Sequence, residues 1–137
     1  IQAILDKQKA RYETLRRILL RQAACLRRDD ILGVGTATVE VREVVDRVSA
    51  LEVRLNPLVA RWREHPAGEG DRVHERAEAI HELLMELQDM KSQNECLARS
   101  AMGRRRQEMA ALSAGANAAR GYIPRPSNEA RFVDRLR

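Results

Sequence analysis

Residues 71–119 run without a proline and with only Gly103 and Gly115 as glycines. Their apolar residues recur at mixed three- and four-residue spacing. Val73, Ala77, Ile80, Leu84 and Leu87 mark one stripe, and Met102, Met109, Leu112, Ala116 and Ala119 mark another. That is the repeat of a helix with one apolar face turned to partner helices. Asp71 is placed to cap its start and Gly121 to end it. At ~1.5 Å per residue the helix is roughly 70 Å long. Whatever else the chain does must be arranged around that rod.

Two shorter helices precede it. Ile1, Leu5, Tyr12, Leu15, Leu19 and Leu26 form a ladder over residues 1–28, with Gln8 and Gln22 on its polar rungs. Asp29-Asp30 followed by Gly33 and Gly35 interrupts the pattern, and a reversal is expected there with Thr36 or Thr38 recapping. This is a weak break, since glycine costs ~1 kcal/mol in a helix interior relative to alanine. Val41, Val44, Val48, Leu51, Leu55, Leu58 and Trp62 then give a seam for a second helix over residues 38–63. Pro57 inside it removes a backbone donor, which predicts a kink or a restart, while Trp62 closes the end of the core. Glu-His-Pro-Ala-Gly-Glu-Gly at 64–70 reads as a loop.

The expected fold is therefore all-α: an elongated antiparallel three-helix bundle or coiled coil, with helices at 1–28, 38–63 and 71–119. The first two are each roughly 40 Å long, so the third overhangs them. Residues 1–120 form the helical domain. Residues 121–137, with Gly121, Pro124 and Pro126, form a basic tail that is disordered alone or weakly helical. The 33% of charged residues against 3% aromatic suits such a bundle.

Charge is distributed unevenly. Basic residues outnumber acidic ones by eight to two over 1–28 and nine to three over 99–137, whereas acidic residues lead by nine to three over 64–98. Attraction between the basic first helix and the acidic start of the third is expected to help align them. Cys25 and Cys96 are expected as reduced, semi-buried thiols of a cytoplasmic protein, with a disulfide left open. Nothing reads as a signal peptide or as a run of ~18 apolar residues.

Chemistry is hard to find. His74 and His81 share a face with Glu78, and Glu75 and Glu82 are close by, but no closed metal-ligand set results, and a solvated acidic face is expected. No nucleophile motif, phosphate loop or CxxC is present, so no catalytic residue, metal or cofactor is expected. Arg104, Arg105 and Arg106 point in three directions on a helix. With few aromatics to stack bases, sequence-specific nucleic-acid binding is not expected, though nonspecific phosphate contact stays open. Asn94 lies on the seam of Leu83, Leu87, Met90 and Leu97, either buried to fix helix register or simply exposed.

The second half of the third helix is the candidate site. Ala98, Met102, Met109, Leu112, Ala116 and Ala119, interrupted by Arg105, make a surface of unbranched and small side chains that accepts another helix closely. An exposed apolar stripe marks a partner. A helix laid along it would anchor at three- and four-residue spacing. The alternative is a fold-back at Gly103 or Gly115 that buries the stripe.

The order of features is that of a known family. Leu26-Arg27-Arg28-Asp29-Asp30 ends the first helix, the second carries Leu55-Asn56-Pro57-Leu58, and the long third helix has Asn94 on its seam and closes on Gly121-Tyr122. From about residue 3 to 124 the chain resembles the FlgN family of flagellar type III export chaperones. The resemblance implies a cytoplasmic, ATP-independent chaperone that holds the helical C-terminal end of the hook–filament junction proteins FlgK and FlgL and delivers them to the export gate. It places the client on Met102, Met109, Leu112 and Ala116, and gate docking on Gly121 and Tyr122. Two other readings remain open: a homo-oligomeric coiled coil, including a homodimer through the overhanging helix, and a basic nucleic-acid-associated protein.

Overall fold

The computed structural model describes residues 1–64 and 70–122. They form three helices: α1 (Gln2–Arg27), α2 (Ile31–Glu64) and α3 (Gly70–Gly121). The tail from 123 and the loop at 65–69 lie outside the described residues, and so do the expectations about them. The chain divides into two compact units, Ile1–Ala101 and Met102 onward.

In the first unit the three helices alternate in direction. Tyr12 Oη donates to Glu52 at 3.4 Å, Gln22 Nε2 to Thr38 Oγ1 at 3.1 Å, and Arg21 pairs with Glu40. The α2 partner number falls as the α1 number rises, so these two helices are antiparallel. Asp6 pairs with Arg76 at 2.7 Å and Arg16 with Glu86 at 2.8 Å, each across 70 residues, so α1 and α3 run parallel. The expected attraction between α1 and α3 is present, although one of its two pairs has the basic partner on α3. All four of these side chains are at least one-third exposed, and pairs of this kind contribute well under 1 kcal/mol. They select alignment more than they stabilise it.

Burial shows which helix is central. Eight side chains of α1 are buried, against three of α2 and four of α3. The α1 set runs Leu5, Gln8, Tyr12, Leu15, Ile18, Leu19, Ala23 and Leu26, wider than a single seam. Ile18 beside Leu19 is the reason: two adjacent rows of α1 are covered. Burying a Leu or Ile side chain fully is worth about 1.5–3 kcal/mol, so α1 carries most of the core.

The α1–α2 reversal is shorter than expected. Asp29 has a φ of 55°, the left-handed conformation. The Asp29 amide donates to the Leu26 carbonyl at 3.4 Å and the Asp30 amide to the Cys25 carbonyl at 3.0 Å, the paired bonds of a Schellman C-cap. Asp30 then caps the next helix at once: its Oδ1 accepts from the Gly33 amide at 2.9 Å. Hence α2 begins at Ile31 rather than at Thr38, and Gly33 and Gly35 lie inside it. The threonines do not cap. Thr36 and Thr38 each turn a hydroxyl back to the carbonyl four residues earlier, Leu32 and Val34, at 3.0 and 2.8 Å.

Gly33 is in the helix for a steric reason. A Cβ there would collide with the Asp30 carboxylate and lie 2.6 Å from Cys25 Sγ. Together with Ala37, which is fully buried, it forms the small-residue contact nearest the turn, and the larger Val44 and Val48 take over further along. Pro57 sits within α2 and no restart occurs. Trp62 is half-buried beside Gly70 and is not among the side chains packed against the core cluster. Asp71 falls inside the first turn of α3 rather than at its cap, where its charge still favours the helix N-terminus.

Candidate functional site: an exposed stripe and an open groove

From Met102 to Tyr122 every residue is exposed. The helix passes through Gly103 and Gly115 without interruption, so the alternative of a fold-back is not what the chain adopts. A Cβ at either glycine would meet nothing within 4 Å among the described residues. Met102 is 55% exposed, Met109 71% and Leu112 74%, values normal for lysine and unusual for these side chains.

Residues 102, 105, 109, 112, 116 and 119 advance by three and four, so at 100° per residue they stay within an arc of roughly 100°. The predicted residues Met102, Arg105, Met109, Leu112, Ala116 and Ala119 thus do share one face of one helix. Ala98 is different. It is half-buried, belongs to the first unit, and lines a groove described below. Gly121 is the last residue of α3. Tyr122 follows in a turn, its amide donating to the Ala119 carbonyl at 3.2 Å and its ring 88% exposed.

A second apolar surface lies within the first unit. A groove of about 650 Å³ runs between α2 and α3 over α1, from Tyr12 to Leu26 along its floor. Val41, Val45 and Val48 supply one wall and Leu84 and Leu87 the other. Sequence reading missed it by treating α2 as a single seam. The signal was there: Val41 and Val45 adjoin Val44 and Val48, which widens the apolar face of α2 beyond what one neighbour covers.

Polar groups fix the ends of that groove. Asn94 is buried, and its Nδ2 donates at 3.0 Å both to the Leu19 carbonyl and to Gln22 Oε1. Of the two readings left open for Asn94, the buried one holds: it ties α3 to one turn of α1. At the other end Gln8 donates to Tyr12 Oη at 3.4 Å, and Tyr12 in turn bonds Glu52. Burial pushes the Tyr12 phenol above its ordinary pKa, and the charge and hydrogen bond of Glu52 add to the rise against the opposing bond from Gln8.

The remaining candidates resolve simply. His74, Glu75, Glu78, His81 and Glu82 are all exposed, with His74 Nε2 3.0 Å from Glu78 Oε1. No group of three metal-ligating side chains is found among the described residues. Both thiols are free, Cys25 half-buried and Cys96 exposed rather than semi-buried. No helix of the described residues is long and apolar enough to cross a membrane.

Comparison with known proteins agrees with the order of features. Neither the curated proteins nor the solved structures contain a match. A family model described as FlgN protein does match, over residues 1–129 of the 137. With nearly the whole chain covered, and with its three helices in the sequence order the resemblance implies, the protein belongs to the FlgN family of flagellar export chaperones.

Proposed function

We propose that this chain is the chaperone of hook–filament junction proteins of the FlgK and FlgL kind. It holds their helical C-terminal region along Met102, Met109, Leu112, Ala116 and Ala119, and it presents Gly121-Tyr122 to the export gate. One observation carries the reading: an apolar stripe on an unbroken helix is exposed over its whole length from residue 102 to 119. Leaving such a face in water is unfavourable by ~25 cal/mol per Å² of apolar surface, and a partner helix removes that cost. Methionine and alanine suit the task, because flexible thioethers adapt to different anchors and alanine lets a helix approach closely. A chaperone of this kind works by binding and release, with no bond made or broken.

Pull-down with the C-terminal helical segment of a junction protein tests it. The native chain should retain the segment, and a Met109→Glu, Leu112→Glu double variant of unchanged helicity should lose at least tenfold in affinity. Equal retention by both would remove the stripe from the client site. Tyr122→Ala should leave client retention unchanged while weakening export. Loss of client binding in that variant would show that client and gate sites are not separate.

A further inference from the structure

The stripe and the groove are two apolar surfaces of one chain, and they match. We propose that in the client-free protein the α3 stripe of one molecule lies in the α2–α3 groove of a second molecule. The free chaperone is thereby a self-capped dimer from which the client releases the stripe.

Three observations choose a second copy as the occupant. Length is the first: the groove follows α1 from Tyr12 to Leu26, and Met102 to Ala116 spans the same fourteen steps, ~21 Å in each case. Charge is the second. Residues 102–122 carry four arginines and one glutamate. The groove is edged by Glu52 and Glu95 against a single lysine, Lys91, and its α3 wall belongs to a segment, 70–101, with seven acidic and four basic residues. A basic helix is drawn to such an edge and an acidic one is turned away. Shape is the third: valine and leucine walls fixed in a bundle are complemented by flexible methionine and small alanine. The contact forms between molecules, each stripe meeting the groove of the other copy. Exchange in both directions doubles the buried area, as closed two-fold pairs do. The contact needs the stripe but not the client, so it can fail while the client assignment stands.

Sedimentation of the full chain over a range of concentrations tests it. Four samples are compared: the native protein, Val45→Arg in the groove wall, the Met109→Glu, Leu112→Glu variant, and an equimolar mixture of the two variants. The native chain should show a monomer–dimer equilibrium, and each variant alone should dissociate at least tenfold more readily. The mixture should associate more tightly than either variant, because one intact groove then meets one intact stripe. Val45 is half-exposed, and Ser49→Arg, at an exposed lining position, serves if Val45→Arg loses helicity. A native protein that stays monomeric overturns the proposal. So does a groove variant that dimerises like the native chain, which would mean stripe-to-stripe pairing, or a mixture no tighter than its components. Client retention in Val45→Arg should be at least as strong as in the native chain, because the stripe then has no groove competing for it. If it is lost, the groove takes the client instead, and the self-capped dimer is wrong while the chaperone reading survives.

Discussion

Two glycines, Gly33 and Gly35, sit two residues apart in α2 and meet different surroundings. Gly35 has nothing within 4 Å of where a Cβ would stand, whereas Gly33 faces the Asp30 cap and the Cys25 thiol. Alanine at Gly35 should therefore gain the ordinary helix increment of about 0.5–1 kcal/mol. Alanine at Gly33 must displace a capping carboxylate worth ~1 kcal/mol and move a packed thiol, so it should lower stability despite the same increment. Thermal melts of the two variants should shift in opposite directions; a shared upward shift would mean that the Asp30 cap contributes nothing. Tyr12 offers a second test at this scale. Its phenol is raised in the folded state by burial and by Glu52, so folding holds the proton more tightly than the unfolded chain does. The resulting stability is fully present below the unfolded tyrosine pKa of about 10 and is lost as pH rises through the higher folded value. Native protein should lose stability more steeply above about pH 10 than Tyr12→Phe does, as read from denaturation midpoints across pH. Parallel pH curves would remove Tyr12 as the source.

At the scale of the element, α3 is one helix with two environments. As far as Ala101 it contributes Val73, Ile80, Leu87 and Asn94 to the core of its unit. From Met102 its side chains are all exposed. Gly103 lies on the far side of the helix from the centre of the stripe, by roughly 150° at 100° per residue. Gly103→Ala should therefore raise helix stability by ~1 kcal/mol and leave client affinity within twofold. A large loss of affinity in this variant would move the client contact to the glycine face. The length and register of α3 were legible because nothing in residues 71–119 stops a helix. The start of α2 was not, because glycine and threonine both read as breaks. Here one is demanded by close packing and the others spend their hydroxyls on the preceding turn. That distinction depends on Cys25 and Asp30 being near Gly33 in space, which spacing along the chain does not state.

At the scale of the whole molecule, α1 is the shared partner of the first unit, bonded to both α2 and α3, and the space left between those two is the groove. Sequence patterning found each helix face that meets α1, since periodicity reports a face. It could not find the groove, since a gap between two helices depends on how far apart a third holds them. The stripe was legible for the opposite reason: it is a face with no described side chain over it. The most direct measurement of the central claim is hydrogen exchange on the full chain with and without a junction-protein C-terminal segment. At a concentration where the free chain is monomeric, slowed exchange should appear in peptides from residues 102–119, whose exposed helix then opens most easily without client, with α1 unchanged. Slowed exchange confined to residues 41–52 and 84–98, with 102–119 unaltered, would place the client in the groove and contradict the assignment.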